Sequence, residues 1–432
     1  MKRNLLEKLP SEIATILRFI GGYADQCGIS CYLVGGVVRD LLLEKKNLDL
    51  DIVVEADAVE FSKTLSQKHQ TAITIYPRFK TTTLIWPKNI SIDFVSARKE
   101  SYPTPGALPV VKKGTLRDDL FRRDFTVNAM AVSLNQPKYG LLVDEYHGLS
   151  DLKAKQIRIF HDQSFRDDPT RILRAIRFEQ RYGFELEKKT MACLVEALKG
   201  DFYRHVTPGR YFEEFKKVLE EPDPERYLNR LDKLRALCFI DENFKFTPDK
   251  GKHIRDVDKI LEWVQEFCPE VRGHSKWLVY FMILIDDYPS DTINKMLGRF
   301  SFSRHDRDKV ISSKLAYEVV RRLDDQVLKP SQICKVLKNV SLEELVVFLV
   351  KTQGMAPETC IKKFLTNYRM TRLLLKGDDL VKLGVKDGKK MGEILQHLLE
   401  RKIDSGITTK EGEAKLLEQI DWAKKGDFHE SN

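Results

Sequence analysis

Two aspartates interrupt an apolar segment near the amino terminus and are the first residues that suggest chemistry. Asp49 and Asp51 flank one leucine in LDLDIVV, residues 48–54. Side chains two residues apart in a strand point to the same face, so these carboxylates are expected to lie side by side. They repel each other unless a cation lies between them. Oxygen ligands on a short strand suit Mg²⁺, and a pair of such ions can activate an attacking hydroxyl and stabilise a leaving pyrophosphate.

A third carboxylate is available on another predicted strand. Asp93 lies in SIDFVSA, residues 91–97, and this strand could lie beside the strand of Asp49 and Asp51. We therefore predict a catalytic group of Asp49, Asp51 and Asp93, with the metal held by the first two. The alternative is a solvated strand face, because two aspartates separated by one residue also occur by chance.

A pair of glycines upstream of these acids favours the functional interpretation. Gly35 and Gly36 join a predicted strand, CYLV, to a predicted helix, VVRDLLLEK. A strand–glycine–helix turn presents backbone N–H groups to an anion, and Arg39 could add a charged fork to the same phosphates. The turn, the arginine and the aspartates together predict a site for a nucleoside triphosphate with its metal.

A basic segment follows the predicted strands. RRDFTVNAMA, residues 122–131, places Arg122, Arg123 and Asp124 before an apolar stretch that is expected to be buried. The alternative is the salt-bridged edge of a strand or helix.

A second basic segment has helical spacing. DDPTRILRAIRF, residues 167–178, places Asp168, Arg171, Arg174 and Arg177 at steps of three, so they form a slanted stripe on a helix. The apolar residues between them are expected to pack inward. The alternative is that Asp168 caps the helix and the arginines form a solvated face.

The pair Asp168 and Arg171 could recognise a nucleotide base. A carboxylate accepts a hydrogen bond from the exocyclic amine of cytosine or adenine, and an arginine donates to the neighbouring ring nitrogen or carbonyl. Guanine and uracil would place a carbonyl against the carboxylate and leave an acceptor unpaired. Such a pair could select C and A without a nucleic-acid template.

The order of elements that must hold these residues indicates an α+β protein. Predicted strands and helices alternate up to about residue 145, and helical patterns dominate from there to the carboxyl end. In TPGRYFEEFKKVLEE, Thr207 is predicted to cap a helix whose first turn contains Pro208.

Composition is that of a basic globular protein. The chain has 432 residues and a formal net charge of +9, a mild indication of a polyanionic partner. Seven scattered cysteines form no metal-binding pattern and indicate reduced thiols. The first residues lack the apolar core of a signal peptide, and the longest apolar run, residues 277–285, is too short to span a bilayer. We expect a cytoplasmic protein that binds neither membrane nor DNA.

The motifs together resemble bacterial class II tRNA nucleotidyltransferases and their poly(A) polymerase relatives. Within residues 32–180 they are, in chain order, LVGGVVRDLLL, LDLDIVV, RRDFTVNAMA, DEYHGLSDLKAKQIR and DDPTRILRAIRF. The resemblance implies a polymerase-β-like head with a mixed sheet, over residues 1–145. It implies an all-α neck over residues 146–224 and an all-α body and tail over residues 225–432, which bind tRNA.

The resemblance also implies roles for individual residues. Nucleotide binding is implied for nine positions, namely Gly35, Gly36, Arg39, Arg123, Asp124, Asp168, Arg171, Arg174 and Arg177. A hinge-like motif between head and neck corresponds to Asp144, Gly148 and Asp151. Asp167 departs from the family, which often has Glu there, but the charge is kept.

The implied reaction is Mg²⁺-dependent addition of CMP and AMP, from CTP and ATP, to the 3′ end of tRNA. The Pro/Gly-rich segment at residues 100–119 resembles a loop that the family needs to add the final A. It fits both full CCA addition and A-only addition, and these two alternatives remain open. A poly(A) polymerase ranks below them, and a non-catalytic RNA-binding module ranks last.

Overall fold

The computed structural model describes residues 4–77, 80–271, 273–385 and 387–420. The chain forms two compact units. The first comprises Met1–Glu221 and Arg226–Lys245, and the second comprises Pro222–Glu225 and Phe246–Asn432. Of the predicted body and tail, residues 421–432 lie outside the described residues.

The first unit is built on a mixed sheet of seven strands. They are β1 (Cys31–Val34), β2 (Leu50–Val54), β3 (Ala72–Tyr76), β4 (Thr81–Trp86), β5 (Ile90–Ser96), β8 (Ala131–Ser133) and β9 (Leu142–Val143). Their order across the sheet is β3-β4-β5-β2-β1-β8-β9. Two small sheets pair β6 (Arg98–Ser101) with β7 (Val110–Lys113), and β10 (Gln156–Ile157) with β11 (Glu185–Leu186).

Strand pairing sets the position of the predicted acids. β2 runs antiparallel to β1, with Asp51 opposite Val34, and parallel to β5, with Asp51 opposite Asp93. The prediction that the strand of Asp93 lies beside that of Asp51 is therefore confirmed. Asp49 differs from the expectation, because β2 begins at Leu50 and Asp49 lies one residue before the strand.

Besides the sheets, the first unit contains helices, and further helices form the second unit. Those of the first unit are α1 (Ser11–Gln26), α2 (Gly36–Leu42), α3 (Ala58–His69), α4 (Leu116–Phe121), α5 (Gly148–Ala154), α6 (Ser164–Asp167), α7 (Thr170–Tyr182), α8 (Lys188–Lys199), α9 (Pro208–Leu219) and most of α10 (Pro224–Lys233). Short 3₁₀ turns lie at Leu5–Lys8, Pro87–Asn89, Thr126–Asn128 and Phe202–His205.

Helix α7 has the two faces that its sequence predicts. Ile172, Leu173 and Ile176 have no exposed surface, so the apolar side packs inward. The helix ends at Gly183, which has a φ of +64° and closes the last turn with its N–H. The predicted start at Pro208 is confirmed for α9, although Thr207 forms no side-chain cap.

The second unit is helical over its described residues. Its elements are α11 (Pro248–Phe267), α12 (Lys276–Ile285), α13 (Ser290–Arg299), α14 (Arg304–Val320), α15 (Pro330–Leu337), α16 (Leu342–Lys351), α17 (Ala356–Lys363), a π-helical turn (Phe364–Tyr368), α18 (Gly377–Lys382), α19 (Gly388–Ser405) and α20 (Lys410–Glu418). After its first residue, Lys276, helix α12 is apolar on all sides and buried, and it packs against α11 and α16.

A buried ion pair fixes the end of the second unit. Glu413 on α20 is fully buried and accepts hydrogen bonds from Lys402 and from the N–H groups of Leu374 and Leu375. This satisfies a charge that would otherwise be costly to bury.

The predicted fold class, an α+β head followed by a helical carboxyl-terminal region, is confirmed. The predicted all-α neck is wrong in one respect, because it contains the short sheet of β10 and β11, whose strands pair across distant segments. None of the helices within the described ranges is both long and apolar enough to cross a membrane. The domain limits at residues 145 and 224 stay predictions.

Candidate nucleotide site

An open cleft of about 730 Å³ in the first unit collects most of the predicted site residues. Of those, its lining contains Gly36, Arg39, Asp49, Asp51, Arg123, Asp124, Asp168, Arg171, Arg174 and Arg177. Residues more than 100 positions apart in the sequence thus face one space. The cleft is rich in both arginine and carboxylate side chains, as a site for a metal-bound polyphosphate requires.

The glycine turn fits closely against a predicted site arginine. Gly35 has a φ of +80°, and a Cβ added there would lie 2.6 Å from Nη1 of Arg123. Side chains are disfavoured at this position by both the backbone angle and the lack of space. Gly35 does not line the cleft itself, but it allows Arg123 and Asp51 to approach the turn.

Arg39 is buried and strongly held. Its guanidinium forms two hydrogen bonds of 2.9 Å with Asp40 and donates to Asn128. It also lies over the rings of Phe178 and Tyr182, at 5.3 and 4.5 Å from their centroids. These contacts fix the start of α2 to α7, and the predicted role of Arg39 toward phosphate stays a prediction.

Asp51 lies among like charges. Burial raises its pKa first, and the neighbouring carboxylates of Asp49 and Asp93 add to the effect, so that it reaches about 6 despite the opposing charges of Arg123 and Arg122. A desolvated carboxyl group crowded by other carboxylates is a favourable ligand for a divalent cation, which would relieve the repulsion. Asp49 and Asp51 therefore fit Mg²⁺ as predicted ligands.

Asp93 is less well placed for direct contact with a ligand. It accepts a hydrogen bond from the hydroxyl of Thr83 and does not line the cleft. Within the described ranges, no three His, Cys, Asp or Glu residues form a cluster suited to a metal ion. Because Mg²⁺ is often bound by one or two carboxylates plus substrate phosphates, this is compatible with a two-aspartate site. A third-ligand role for Asp93 stays a prediction.

Asp124 forms the central ion pair of the cleft. Arg174 binds its Oδ2 through two nitrogens, at 2.9 and 2.6 Å, and Asn128 donates to its Oδ1 at 2.9 Å. Burial alone would raise the pKa of Asp124, but Arg174 and Asn128 outweigh it and hold the pKa at about 2. Asp124 is therefore a permanent anion that links the 3₁₀ turn at Thr126–Asn128 to α7.

The adjacent arginines are held by a buried acid. Arg122 and Arg123 both pair with Asp119 on α4, at 2.7 and 3.2 Å. The salt-bridged edge that was the alternative for RRDFTVNAMA is thus present, and it coexists with a position in the cleft. Arg123 also has a buried Nε without a hydrogen-bond partner in the described structure.

The arginines of α7 do not form a solvated face, so that alternative is wrong. Arg171 and Arg177 are 5% and 8% exposed. Arg171 donates to the hydroxyl of Ser164 at 2.6 Å and to the carbonyl oxygen of Arg122 at 3.0 Å, while Arg177 pairs with Glu221 at 3.1 Å. Because these charged side chains are buried and face the cleft, their placement favours a ligand-binding site over a solvated helix face.

Asp168 precedes α7 and keeps part of its predicted capping role. Its Oδ1 accepts from the N–H of Thr170 at 3.2 Å and from the Thr170 hydroxyl at 2.6 Å. The cap position itself is Pro169, because the helix begins at Thr170. The carboxylate lines the cleft, so capping and ligand contact are both compatible with its position.

The hinge-like motif is well anchored. Asp144 accepts from the N–H groups of Gly148 and Leu149 at 2.7 and 3.0 Å, which caps the start of α5. Asp151 accepts from the Thr126 hydroxyl at 2.6 Å. These bonds join α5 to the turn that follows Asp124, and a hinge function remains a prediction.

Sequence reasoning missed several cleft residues. Among them are Tyr102, Asn128 and Arg210, together with the buried Asp119 that pairs with Arg122 and Arg123. Asn128 could have been found, since it is a polar residue inside the apolar part of RRDFTVNAMA. Asp119 could also have been found, because it lies three and four residues before Arg122 and Arg123, at the spacing of a helical ion pair. Arg210 gave no comparable signal, because Gly106 and Asp168 lie in distant segments.

Two family models match the chain. One, described as the poly A polymerase head domain, matches residues 31–158. The other, described as a probable RNA and SrmB-binding site of polymerase A, matches residues 183–241.

Curated relatives resemble nearly the whole chain. An A-adding tRNA nucleotidyltransferase of Geobacter sulfurreducens is 33% identical over 421 residues, which is 95% of this chain and 47% of that protein. One of Halalkalibacterium halodurans is 30% identical, over 90% of this chain and 88% of that protein. The chain thus spans about half the length of the first relative and most of the second.

Solved structures of CCA-adding enzymes are also similar to this chain over most of its length. A CCA-adding enzyme in an apo form superimposes with a TM-score of 0.76 at 31% identity, covering 96% of this chain and 98% of that one. The Thermotoga maritima CCA-adding enzyme complexed with tRNA superimposes with a TM-score of 0.71 at 29% identity, covering 96% and 97%. With the cleft geometry and the family models, these matches establish that the chain belongs to the family of tRNA nucleotidyltransferases and poly(A) polymerases.

Proposed function

We propose that this protein is a template-independent tRNA nucleotidyltransferase. It adds CMP and AMP to the tRNA 3′ end from CTP and ATP with Mg²⁺, and it releases pyrophosphate. The supporting observation is the single cleft that combines the aspartates of β2, the glycine turn and the arginine-bearing face of α7. The names of the similar proteins, which include complexes of CCA-adding enzymes with ATP and with CTP, support the same substrates.

The proposed chemistry is an in-line transfer. The 3′ hydroxyl of the RNA attacks the α-phosphorus of the nucleotide, the bond to the β-phosphate oxygen breaks, and pyrophosphate leaves. Asp49 and Asp51 would hold a divalent cation, and such an ion, when bound, would supply activation of the hydroxyl and neutralisation of the leaving group. Arg123 lies against the Gly35 turn, where a fixed positive charge would orient the triphosphate.

The base is proposed to be selected by Asp168, with Arg171 beside it on α7. A carboxylate at the cleft wall favours an exocyclic amine over a carbonyl, which separates C and A from U and G. Arg174 is paired with Asp124 and Arg177 with Glu221, so these arginines also hold the helix in register. The proposed partner of the helical second unit is the tRNA backbone.

A second candidate is addition of the terminal A alone. Both of the relatives described above are named A-adding enzymes, and this observation favours it. The Pro/Gly-rich loop is compatible with both candidates, since both must add A.

A transcript series tests the proposal and separates the candidates. tRNA transcripts that end before CCA, after C and after CC are incubated with labelled CTP or ATP and Mg²⁺. Full CCA addition predicts CMP incorporation on the first two and AMP incorporation on the third. A-only addition predicts AMP incorporation on the third alone. Long A tracts on unrelated RNA would indicate a poly(A) polymerase, and no incorporation on any transcript would overturn the proposal.

A further inference from the structure

The loop between β6 and β7 is attached at Gly106 and also at Tyr102, whose hydroxyl accepts a hydrogen bond from Arg171 at 3.5 Å. The N–H of Gly106 points to the carbonyl oxygens of Arg166 and Asp167, each at 3.2 Å. Gly106 has a φ of +69°, and a Cβ added there would lie 2.5 Å from the carbonyl oxygen of His205. Only glycine fits this contact without displacing backbone. The loop is therefore docked against the end of α6, directly before Asp168.

Arg210 bridges this docked glycine and the predicted base-selecting carboxylate. Its Nη1 donates to the carbonyl oxygen of Gly106 at 3.0 Å, and its Nη2 lies 3.5 Å from Oδ1 of Asp168. The side chain is 31% exposed and lines the cleft. One guanidinium on the first turn of α9 thus contacts both the loop and the start of α7.

The contacts of Asp168 leave its orientation dependent on Arg210. Thr170 and Arg210 both engage the same oxygen, Oδ1, so neither of them occupies Oδ2. The carboxylates of Asp167, Glu213 and Glu214 lie on neighbouring elements, and Glu213 and Glu214 line the same cleft. Without Arg210, Asp168 would keep its hydrogen bonds from Thr170 and the charge of nearby Arg174, but it would lose its direct ion pair while Asp167 remains beside it.

We propose that Arg210 is a positioning residue for base selection, which fixes the Asp168 carboxylate and couples it to the docked loop at Gly106. This inference rests on the proposed function. Arg210 need not touch the base: it holds Oδ1 so that Oδ2 faces the exocyclic amine in one orientation. The planar guanidinium suits this task, because its two terminal nitrogens can engage a carbonyl and a carboxylate at once.

The test measures discrimination between ATP and GTP on a tRNA transcript that ends in CC. The readout is the ratio of kcat/KM for ATP to that for GTP, because a general loss of structure lowers both values and leaves the ratio unchanged. The variants are Arg210→Ala, Arg210→Lys, Gly106→Ala and the double variant Arg210→Ala/Gly106→Ala. Arg204→Ala is the matched control, since Arg204 precedes the same helix, pairs with Glu242 and does not line the cleft.

The ratio is expected to fall about fivefold to tenfold in Arg210→Ala, the effect of one ordinary intramolecular hydrogen bond, since the contact with Asp168 is long at 3.5 Å. Gly106→Ala should lower it similarly by undocking the loop, and the double variant should lose little more than either single variant. Arg210→Lys should recover part of the ratio, and Arg204→Ala should match wild type.

Two results would overturn the inference. One is an unchanged ATP/GTP ratio in folded Arg210→Ala. The other is an equal loss for both nucleotides with a raised KM for tRNA, which would make Arg210 an RNA contact. Failure of the proposed function is distinguishable, because in that case wild type itself would add no nucleotide to the transcript.

Discussion

Burial and the neighbouring carboxylates of Asp49 and Asp93 all disfavour the charged form of Asp51 in the cleft. A bound cation reverses this balance, so the residue gains from the metal. Asp51→Asn keeps the shape but removes the charge. Incorporation should fall by at least about 100-fold, the order of magnitude for losing one preorganised electrostatic contact. Single-turnover incorporation with Mg²⁺ measures this, and the same is expected for Asp49→Asn.

Asp57→Asn is a suitable control for these two variants. Asp57 caps α3 through the N–H groups of Val59 and Glu60, and asparagine caps about equally well. Near-native turnover in Asp51→Asn, alongside an unaffected control, would remove Asp51 from the proposed metal site.

Asp168→Asn tests base selection directly. An amide can donate as well as accept, so it can pair with the carbonyl of uracil or guanine. Preference for CTP and ATP over UTP and GTP should relax by about 1–3 kcal/mol, roughly tenfold to a hundredfold, while Mg²⁺ dependence is unchanged. The measurement is the incorporation of each of the four nucleotides by wild type and by the variant, from which the two preferences are compared. Unchanged preference at an unchanged rate would leave Asp168 as the start of a helix only.

Asp124 should make stability depend on pH. Its folded-state pKa of about 2 lies below the ordinary value of 3.8, so its ion pair stabilises the folded state above about pH 4. The pKa difference corresponds to about 2 kcal/mol, which is lost as the pH falls toward the folded pKa. Urea unfolding of wild type and Asp124→Asn, between about pH 6 and pH 3, should show a stability difference that shrinks with acidity. A difference independent of pH would contradict the assignment.

At the scale of single residues, the sequence predicted those whose proposed role follows from a short local motif. Asp49, Asp51 and Gly35 belong to short motifs in which spacing alone suggests the chemistry. Arg210 could not be found in this way, because its significance depends on Gly106 and Asp168, which are far away in the chain. Burial also escaped prediction for the arginines of α7, since a charged side chain is expected at the surface unless its partners are known.

At the scale of elements, the docked loop between β6 and β7 should matter more for A than for C. The loop contains Pro103, Gly106 and Pro109, and Pro109 lines the cleft. Deleting residues 104–108 removes the contact at Gly106 and should lower AMP incorporation while sparing any CMP incorporation. The two incorporations, measured on matched transcripts, control for each other. An equal loss of both would mean that the loop only supports the fold.

Most helices and strands could be predicted, because apolar periodicity and the residues that end an element are local features of the sequence. The apolar spacing of α7 and the glycine that ends it are both visible in the sequence. Pairing of β2 with β5 was expected only as a possibility, since register depends on contacts between distant strands. The start of β2 at Leu50 was missed for a related reason: Asp49 continues the alternation but has no strand partner there.

At the scale of the whole molecule, the helical second unit should bind tRNA by shape and phosphate charge. A-form stems hide their base edges in a deep groove, so a helical surface can grip only backbone and shape. Affinity should fall steeply with salt concentration and be similar for tRNAs with different anticodons. Filter binding across a salt series measures both. A weak salt dependence, or a strong preference for one tRNA, would contradict this prediction.

The chain of bonds from Asp40 through Arg39, Asn128 and Asp124 to Arg174 has a consequence for how the first unit loses its structure. The bonds from Asp40 to Asp124 are buried and the bond from Asp124 to Arg174 is part-buried, so breaking one leaves a poorly hydrated charge or amide without its partner, which is costly. Partial unfolding of the first unit around these bonds is therefore unfavourable. The glycine turn at Gly35 and Gly36 and α7 should unfold together as one cooperative unit, so heat should abolish the proposed nucleotide binding in a single step with unfolding.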